Sequence, residues 1–481
     1  MKQRPNILWL MTDEQRADSV GYDGAPWAHT PSLDRLAADG VRFQNAYTPS
    51  PVCVSARACM LTGKAGSSIG MMNNHHWLGQ EGPDFLTWRF AAAGYQVASF
   101  GKHHYHCDRQ AFDYEGGQTL GNRVHYFGYQ TPVDAHGAGV VRYNGGPFPW
   151  LFAGRFPGGV EATPEMENVA DALQWVRRRD PARPYFLRLS FNAPHTPVVT
   201  PAPFDTMISQ DAIDLPIDRP DAEGEDGFVS STHRDHLFAY AGTDRLTDVQ
   251  IRRARQCYYG YVACVDHAFG RLIEELGEMG ELENTIVAYV ADHGTHLGDH
   301  GFFQKQSFWD AAARVPFFLA GPGIEQREDA VHTPVNVGSL LPTLLDLVGL
   351  EVPAEVQYPS LGPMLADGSL LVTGPVFSEL DYGVWRYRTG DRYVMIRDGR
   401  WKLSLYRDPG VAGQQASGRP EDRVLFDLEA DPGERQNLAD DVASRGVVDS
   451  LIAKIDAWDD SRPIGKPLVQ ERLQHSRTQD F

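Results

Sequence analysis

Cysteine is scarce in this chain: Cys53, Cys59, Cys107, Cys257 and Cys264 are the five present. Their odd number and the lack of any Cys-x-x-Cys pair exclude a disulfide framework and a zinc knuckle as organising devices. A reducing compartment is expected. Basic residues are also in deficit. Lys and Arg total 44 against 63 Asp and Glu, a net charge of −19 with His neutral, which argues against general binding to nucleic acid or to an anionic membrane. No apolar run approaches the roughly 20 residues a membrane span needs, so a soluble chain is expected. Lys2 and Arg4 ahead of Ile7 to Met11 imitate a signal peptide. That run is far too short, however, and passes directly into Thr12-Asp13-Glu14-Gln15-Arg16. The expectation is a cytoplasmic protein, periplasmic only if a leader has been removed. No internal repeat is visible.

What is present is enough apolar material for a large core, 42% of 481 residues, which points to one big domain with a smaller companion. Ile7 to Met11 reads as a buried strand. Thr30 as N-cap, Pro31 at the first helical position, Leu33, Leu36 and Ala37 on one face and Gly40 as the stop then read as a helix. The alternation continues with a helix from Thr163-Pro164 to about Arg179, a strand near Tyr185 to Phe191, a long helix from about Thr247 to Met279 and the strand Thr285 to Ala291. Such a pattern predicts an α/β fold with a large mixed, mostly parallel sheet sandwiched by helices over residues 1–374. From about Pro375 the texture changes. Val394 and Ile396 face Trp401 and Leu403 across an Asp398-Gly399 turn, a hairpin signal, and residues 375–481 are expected to form a C-terminal antiparallel α+β subdomain. The stretches Ala222 to Asp244 and Gly410 to Arg423 read as loops or lids, and Pro463 to Phe481 as an arm without a clear period.

In an acidic molecule, an anionic substrate needs a local cluster of cations or a metal ion. Four groups answer that description, each with a bland reading of its own. Cys53 stands at or just before a short helix, Ser55 to Leu61, that ends near Gly63, with Arg57 one turn away; helix N-termini favour anions, although a lone apolar-site cysteine is usually inert. Asp13-Glu14 follows the first strand and Asp292-His293-Gly294 a late one. Acids there often cap helices, but two strand ends together with one imidazole can serve one ion. Their oxygen ligands suit calcium, magnesium or manganese better than zinc. Gly101-Lys102-His103-His104 follows a strand near Val97 to Phe100, Asn192-Ala193-Pro194-His195 follows another, and Lys305 lies beyond Asp292. Singly these are surface charges or loop histidines; meeting at the sheet edge they would cradle a tetrahedral anion.

The order and spacing of the whole set resemble the type I sulfatases of the alkaline phosphatase superfamily. The likeness runs from Pro5-Asn6-Ile7 to Asp427-Leu428-Glu429-Ala430-Asp431-Pro432-Gly433-Glu434. It includes Cys53 with Arg57 and Leu61-Thr62-Gly63-Lys64, then Gly101-Lys102 with His104, then Asp292-His293-Gly294, Leu297-Gly298-Asp299-His300-Gly301, Lys305 and Arg314-Val315-Pro316. The resemblance implies that a formylglycine-generating enzyme oxidises Cys53, that the hydrated aldehyde attacks sulfur, and that collapse back to the aldehyde, with His104 taking a proton, expels sulfate. It also implies metal ligands Asp13, Glu14, Cys53, Asp292 and His293, with calcium foremost. Lys102, His195 and Lys305 would carry charge and a proton for the leaving alcohol, and Arg57 would order the anionic ligands. Two departures stand out: Ser55, where the family's modifying enzyme prefers Pro or Ala, and Thr295-His296, where many relatives carry Glu-Met. Asn74, His75 and His296, with neighbouring aromatics from Asn73 to Trp77 and Tyr382 to Tyr393, are the pocket candidates for a sulfated saccharide or small sulfate ester. The alternatives are a phosphonate monoester or phosphodiester hydrolase of the same superfamily, from which Lys102 and His104 lean away, and a silent sulfated-glycan binder. A monomer and a homo-oligomer are equally compatible with the sequence.

Overall fold

A computed structural model describes residues 4–76, 78, 85–105, 114–116, 139–143, 150–217, 237–366, 374–381, 392–407 and 423–463. Its main sheet has seven strands in the order Gly40–Arg42, Phe317–Ala320, Thr285–Ala291, Asn6–Asp13, Tyr185–Pro194, Gln96–Gly101 and Tyr114–Gly116. The last five run parallel, and the first two join through antiparallel pairing at one edge. Successive side chains of a strand point to opposite faces, so a strand with helices on both sides is apolar throughout. Leu8 and Leu10 enter one core with Leu187, Tyr289 and the helices Pro164–Arg178 and Asp248–Glu278. Ile7, Trp9 and Met11 enter a second, closed by the helices Cys53–Thr62, Leu86–Ala92 and Leu340–Leu347. The result is the expected mixed sheet between two helical layers.

Several local elements are displaced slightly from the sequence pattern, each for a physical cause. The helix Pro31–Ala38 begins after Thr30, but the Thr30 hydroxyl donates to Asp34. Asp266, reaching from the long helix, accepts the first-turn N–H groups of Ser32 and Leu33 instead. Gly40 is the first residue of a strand, not the helix stop. At the start of Asp248–Glu278, Thr247 and Gln250 form a reciprocal capping box. Within the stretch expected to be loop, residues 237–241 are helical, and Leu237 packs with Tyr47, Phe302 and Trp309. Trp77, Cys107 and the segments 222–236, 382–391, 410–422 and 464–481 lie outside the described residues.

A second sheet, fully antiparallel, runs Val376–Asp381, Arg392–Asp398, Trp401–Arg407, Arg423–Asp427. Ile396 faces Leu403 as expected, but Val394 faces Leu405 and Asp398 pairs with Trp401. The two-residue turn is therefore Gly399-Arg400, one position later than read, with Gly399 supplying the positive φ of 55° at the first turn position. One face of this sheet packs on Val448, Leu451 and Ile455 of the helix Arg445–Asp460. The other meets the main body through Val376, Met395 and Phe426 against Tyr47, Phe302 and Trp309.

Lys402 crosses that junction with only 1% of its side chain exposed, bonding Asp310 at 2.6 Å and pairing with Glu434. Burial pushes the Glu434 carboxyl up to about 7 although Lys402 opposes the shift. Removing the lysine strands the buried Glu434 carboxyl and leaves the half-buried Asp310 without this cation. Lys402→Ala is expected to lower unfolding stability by about 3–5 kcal/mol in urea denaturation at pH 8; a loss near zero would show that the junction does not depend on this pair.

Candidate active site

Neighbouring parallel strands deliver the site residues from their carboxyl ends, where ligands of open α/β sheets gather. Asp13 ends the strand Asn6–Asp13, Asp292 and His293 follow Thr285–Ala291, Asn192 and His195 stand at the end of Tyr185–Pro194, and Lys102 follows Gln96–Gly101. The helix Cys53–Thr62 approaches from the adjoining layer and is buried along its whole length. It begins two residues earlier than expected, which puts Cys53 in its first turn. Val52 provides no side-chain cap. The Asn74 side-chain oxygen takes the Val54 N–H at 3.0 Å in its place.

The convergence is close. Cys53 Sγ lies 3.1 Å from His293 Nε2, 3.3 Å from Lys305 Nζ and 3.7 Å from Asp13 Oδ1. Arg57 donates from Nη2 to Asp13 at 3.0 Å and from Nε to Asp292 at 2.8 Å, and also reaches the Lys102 carbonyl and Ser190 Oγ. Lys102 Nζ stands 2.5 Å from Asp13 Oδ2 and 3.2 Å from Asn192 Oδ1. Glu14 Oε2 meets Lys305 Nζ and His195 Nε2, both at 3.2 Å. All of these side chains are buried except Asn192, which is half-buried. Lys305 is held between Gln304 and Gln306, whose φ values are 75° and 74°, and Glu14 itself sits at φ 62°, a conformation costing about 1–2 kcal/mol for a residue with a Cβ.

The charges shape one another. Burial would push Asp13 up, but Lys102, His195, Lys305 and Arg57 hold it well below the usual carboxylate range. Burial and the Asp13 carboxylate raise its partner Asp292 to about 6. Burial and Asp13 also push the Cys53 thiol up, yet Lys305, Lys102 and His293 together bring it well below its ordinary value. Burial opposes the charge on His293, but Asp292 outweighs it and carries the group to about 9. His293 Nδ1 faces the Gly294 carbonyl at 2.9 Å, an arrangement that turns Nε2 toward Cys53.

This donor set fits a divalent ion. Asp13, Cys53, Asp292 and His293 place one ligand atom each within 4.8 Å of one another, and Asp13, Glu14 and His195 form a second such group sharing Asp13. Three carboxylates, Asp13, Glu14 and Asp292, meet three cations, Arg57, Lys102 and Lys305. A bound dication would thus leave the pocket net positive within an acidic protein, as an anionic substrate requires.

The pocket candidates fare differently. The Asn74 oxygen is committed to Val54, and His75 is half-buried with its N–H bonded to Asn73. His296 is fully buried, with Nε2 at 2.5 Å from Ser307 Oγ and Nδ1 at 3.2 Å from the Asp299 carbonyl, its ring against Phe302 and Trp309. Those contacts make it a packing residue. His104 follows Lys102 on the same loop at φ 47°. Ser55, the departure beside Cys53, donates its hydroxyl to the Met71 carbonyl and ties the helix to the loop that carries Asn74. Sequence reading missed Arg16 and Tyr258. Arg16 bonds the Thr295 and His296 carbonyls and Asp299; its position just past Asp13-Glu14 was the available signal.

Comparison with known proteins agrees with this geometry. The sulfatase family profile matches residues 5–350, and that of the N-sulphoglucosamine sulphohydrolase C-terminal region matches residues 298–460. The chain is 26% identical to an arylsulfatase of Clostridium perfringens, covering 93% of each. It is 30% identical to a choline-sulfatase of Rhizobium meliloti, covering 95% of this chain and 86% of the relative. Among solved structures, a protein in complex with its substrate D-glucosamine-2-N,6-O-disulfate superposes with a TM-score of 0.74 at 20% identity, covering 96% of this chain and 99% of that one. A phosphonate monoester hydrolase from Silicibacter pomeroyi superposes at 0.77 and 24%, covering 96% of each; at these identities both share the fold. Fold and site define a hydrolase of the alkaline-phosphatase-like architecture with a donor set that fits a divalent ion. The chain belongs to the sulfatase family and is a sulfuric ester hydrolase, a family whose chemistry uses a metal and a formylglycine.

A ligand that binds only the folded state stabilises it. Calorimetry should therefore find a higher thermal midpoint in divalent metal than after chelation, reflecting a stabilisation of about 2.7 kcal/mol at one hundred times Kd. An unchanged midpoint would contradict a metal site here.

Proposed function

We propose that the chain releases inorganic sulfate from a sulfated carbohydrate or a small sulfate ester, with Cys53 converted to formylglycine and calcium as the ion. The observation that carries this reading is the position of Cys53 Sγ, within 3.1–3.7 Å of a histidine, a lysine and a carboxylate at once. The sulfur stands in for the oxygens of the hydrated aldehyde. Calcium suits the oxygen-rich ligands, Asp13, Glu14 and Asp292, better than a softer ion.

When present, the hydrated formylglycine and the ion supply a hydroxyl nucleophile with a readily lost proton and positive charge beside the sulfuryl oxygens. The chain's own residues do the rest. Arg57 fixes Asp13 and Asp292 relative to residue 53 by a forked contact that a lysine could not make. Lys102 and Lys305 put two ammonium groups where negative charge grows on the sulfuryl oxygens. His195 Nδ1 is held by the Thr196 carbonyl at 2.5 Å, which turns Nε2 into the site. A proton held there or on Lys305 Nζ is placed to reach the leaving alcohol, a role worth about 10²–10⁴ in rate. His104, on the Lys102 loop, is the proposed acceptor of the proton whose loss returns residue 53 to the aldehyde.

A sulfated saccharide is the favoured substrate class. The solved relative's bound substrate is a sulfated glucosamine, and an ulvan-active sulfatase of Formosa agariphila is 29% identical over 75% of this chain. The partner this reading requires is a formylglycine-generating enzyme. A cytoplasmic location is supported by Cys53, Cys59, Cys257 and Cys264, all free and buried. Units 1–374 and 375–481 are supported by the separate apolar cluster between the second sheet and its helix.

Mass spectrometry of the Cys53 peptide from protein coexpressed with the generating enzyme should reveal the aldehyde, and Cys53→Ala should abolish sulfate release. Turnover retained by Cys53→Ala would overturn the mechanism.

A further inference from the structure

Glu14 holds a left-handed backbone conformation, φ 62°, and something must keep it there. Its N–H donates to Asp292 Oδ1 at 3.1 Å. On its other side the Tyr258 hydroxyl donates to the Glu14 carbonyl at 2.8 Å and accepts the Arg16 N–H at 3.0 Å. Tyr258 is 1% exposed and comes from the middle of the 31-residue helix Asp248–Glu278. Its ring belongs to the apolar core beneath the sheet. Packing alone would be served by phenylalanine. The hydroxyl is what closes the turn, because both of its bonds go to the two residues that flank Gln15.

The same helix face makes further polar contacts at helical spacing. Three residues before Tyr258, Arg255 bonds the Leu297 carbonyl at 3.2 Å and Asp299 at 3.1 Å. Three residues after it, Tyr261 donates to Glu165 at 3.3 Å.

We propose that Tyr258 is a positioning residue: its hydroxyl holds the Glu14 backbone in the left-handed turn and so directs the Glu14 carboxylate toward Lys305, His195 and the ion. The proposal rests on the reading of Glu14 as a metal ligand. Without the hydroxyl, the buried Glu14 carbonyl and Arg16 N–H lose their shared partner, the turn relaxes, and the carboxylate leaves the cluster. Groups that orient a ligand act on metal affinity and not only on activity.

The test is calcium titration of the full chain against a competing fluorescent chelator, with wild type, Tyr258→Phe, Tyr258→Leu, Tyr259→Phe, Glu14→Gln and the Tyr258→Phe/Glu14→Gln pair. Both hydroxyl-free variants at position 258 should bind calcium about 10–100-fold more weakly. Tyr259→Phe removes a neighbouring hydroxyl that meets Arg255 at 3.5 Å and leaves both bonds of the Tyr258 hydroxyl to the turn in place, so it should stay within about twofold of wild type. In the Glu14→Gln background, Tyr258→Phe should add no further loss, since both changes remove one interaction. Wild-type affinity in Tyr258→Phe, or losses that simply add, would overturn the proposal. Unchanged affinity in Glu14→Gln would instead overturn the reading of Glu14 as a ligand, and the proposal with it.

Discussion

Arg57 is the residue on which the site depends. Its guanidinium lies fully inside the protein and spans two carboxylates, Asp13 and Asp292, that end different strands. Without a cation between them, burial and mutual repulsion would push both acids toward their neutral forms. With it, they stay within reach of one ion, and the helix that carries Cys53 is locked against the sheet by the same contact. Lys102 and Lys305 complete the balance from two further loops. The cost of burying so many charges is met by pairing each with an opposite one, which explains why every member of the cluster is buried and none is free to drift.

Much of this was legible in the sequence because it obeys short-range rules. Apolar runs such as Ile7 to Met11 and Thr285 to Ala291 mark strands buried on both faces, and the acids immediately after them fall at the sheet's carboxyl edge. Lys102 follows from the same rule applied to Gln96–Gly101. The spacing of Cys53 and Arg57, one helical turn, puts both on the face that meets the strands. What stayed hidden depends on pairings between distant segments. Nothing local tells Asn74 from a pocket residue, yet it caps the Cys53 helix from twenty positions away. Tyr258 sits in an apolar stripe where a tyrosine reads as packing. Asp266 displaced Thr30 as the cap of another helix, and the Asp398-Gly399 turn slipped by one position because strand register decides which residues are central.

The fold alone does not choose the chemistry. A phosphonate monoester hydrolase superposes on this chain as well as a protein bound to a sulfated glucosamine does, so the architecture is common ground. The choice lies in the groups around the transferred anion. Here two lysines, His195 and Arg57 surround Cys53, and the whole-length relatives are sulfatases. A sulfate monoester carries less charge than a phosphate monoester, and a pocket with a modest positive excess suits it.

The measurement that bears most directly on this account is the hydrolysis rate of matched aryl sulfate, phosphate monoester, phosphate diester and phosphonate substrates by metal-loaded protein coexpressed with a formylglycine-generating enzyme, with and without chelator. The account predicts fastest turnover on the sulfate, lost on chelation. Faster turnover of the phosphonate or the diester, or sulfate release that survives chelation, would contradict it.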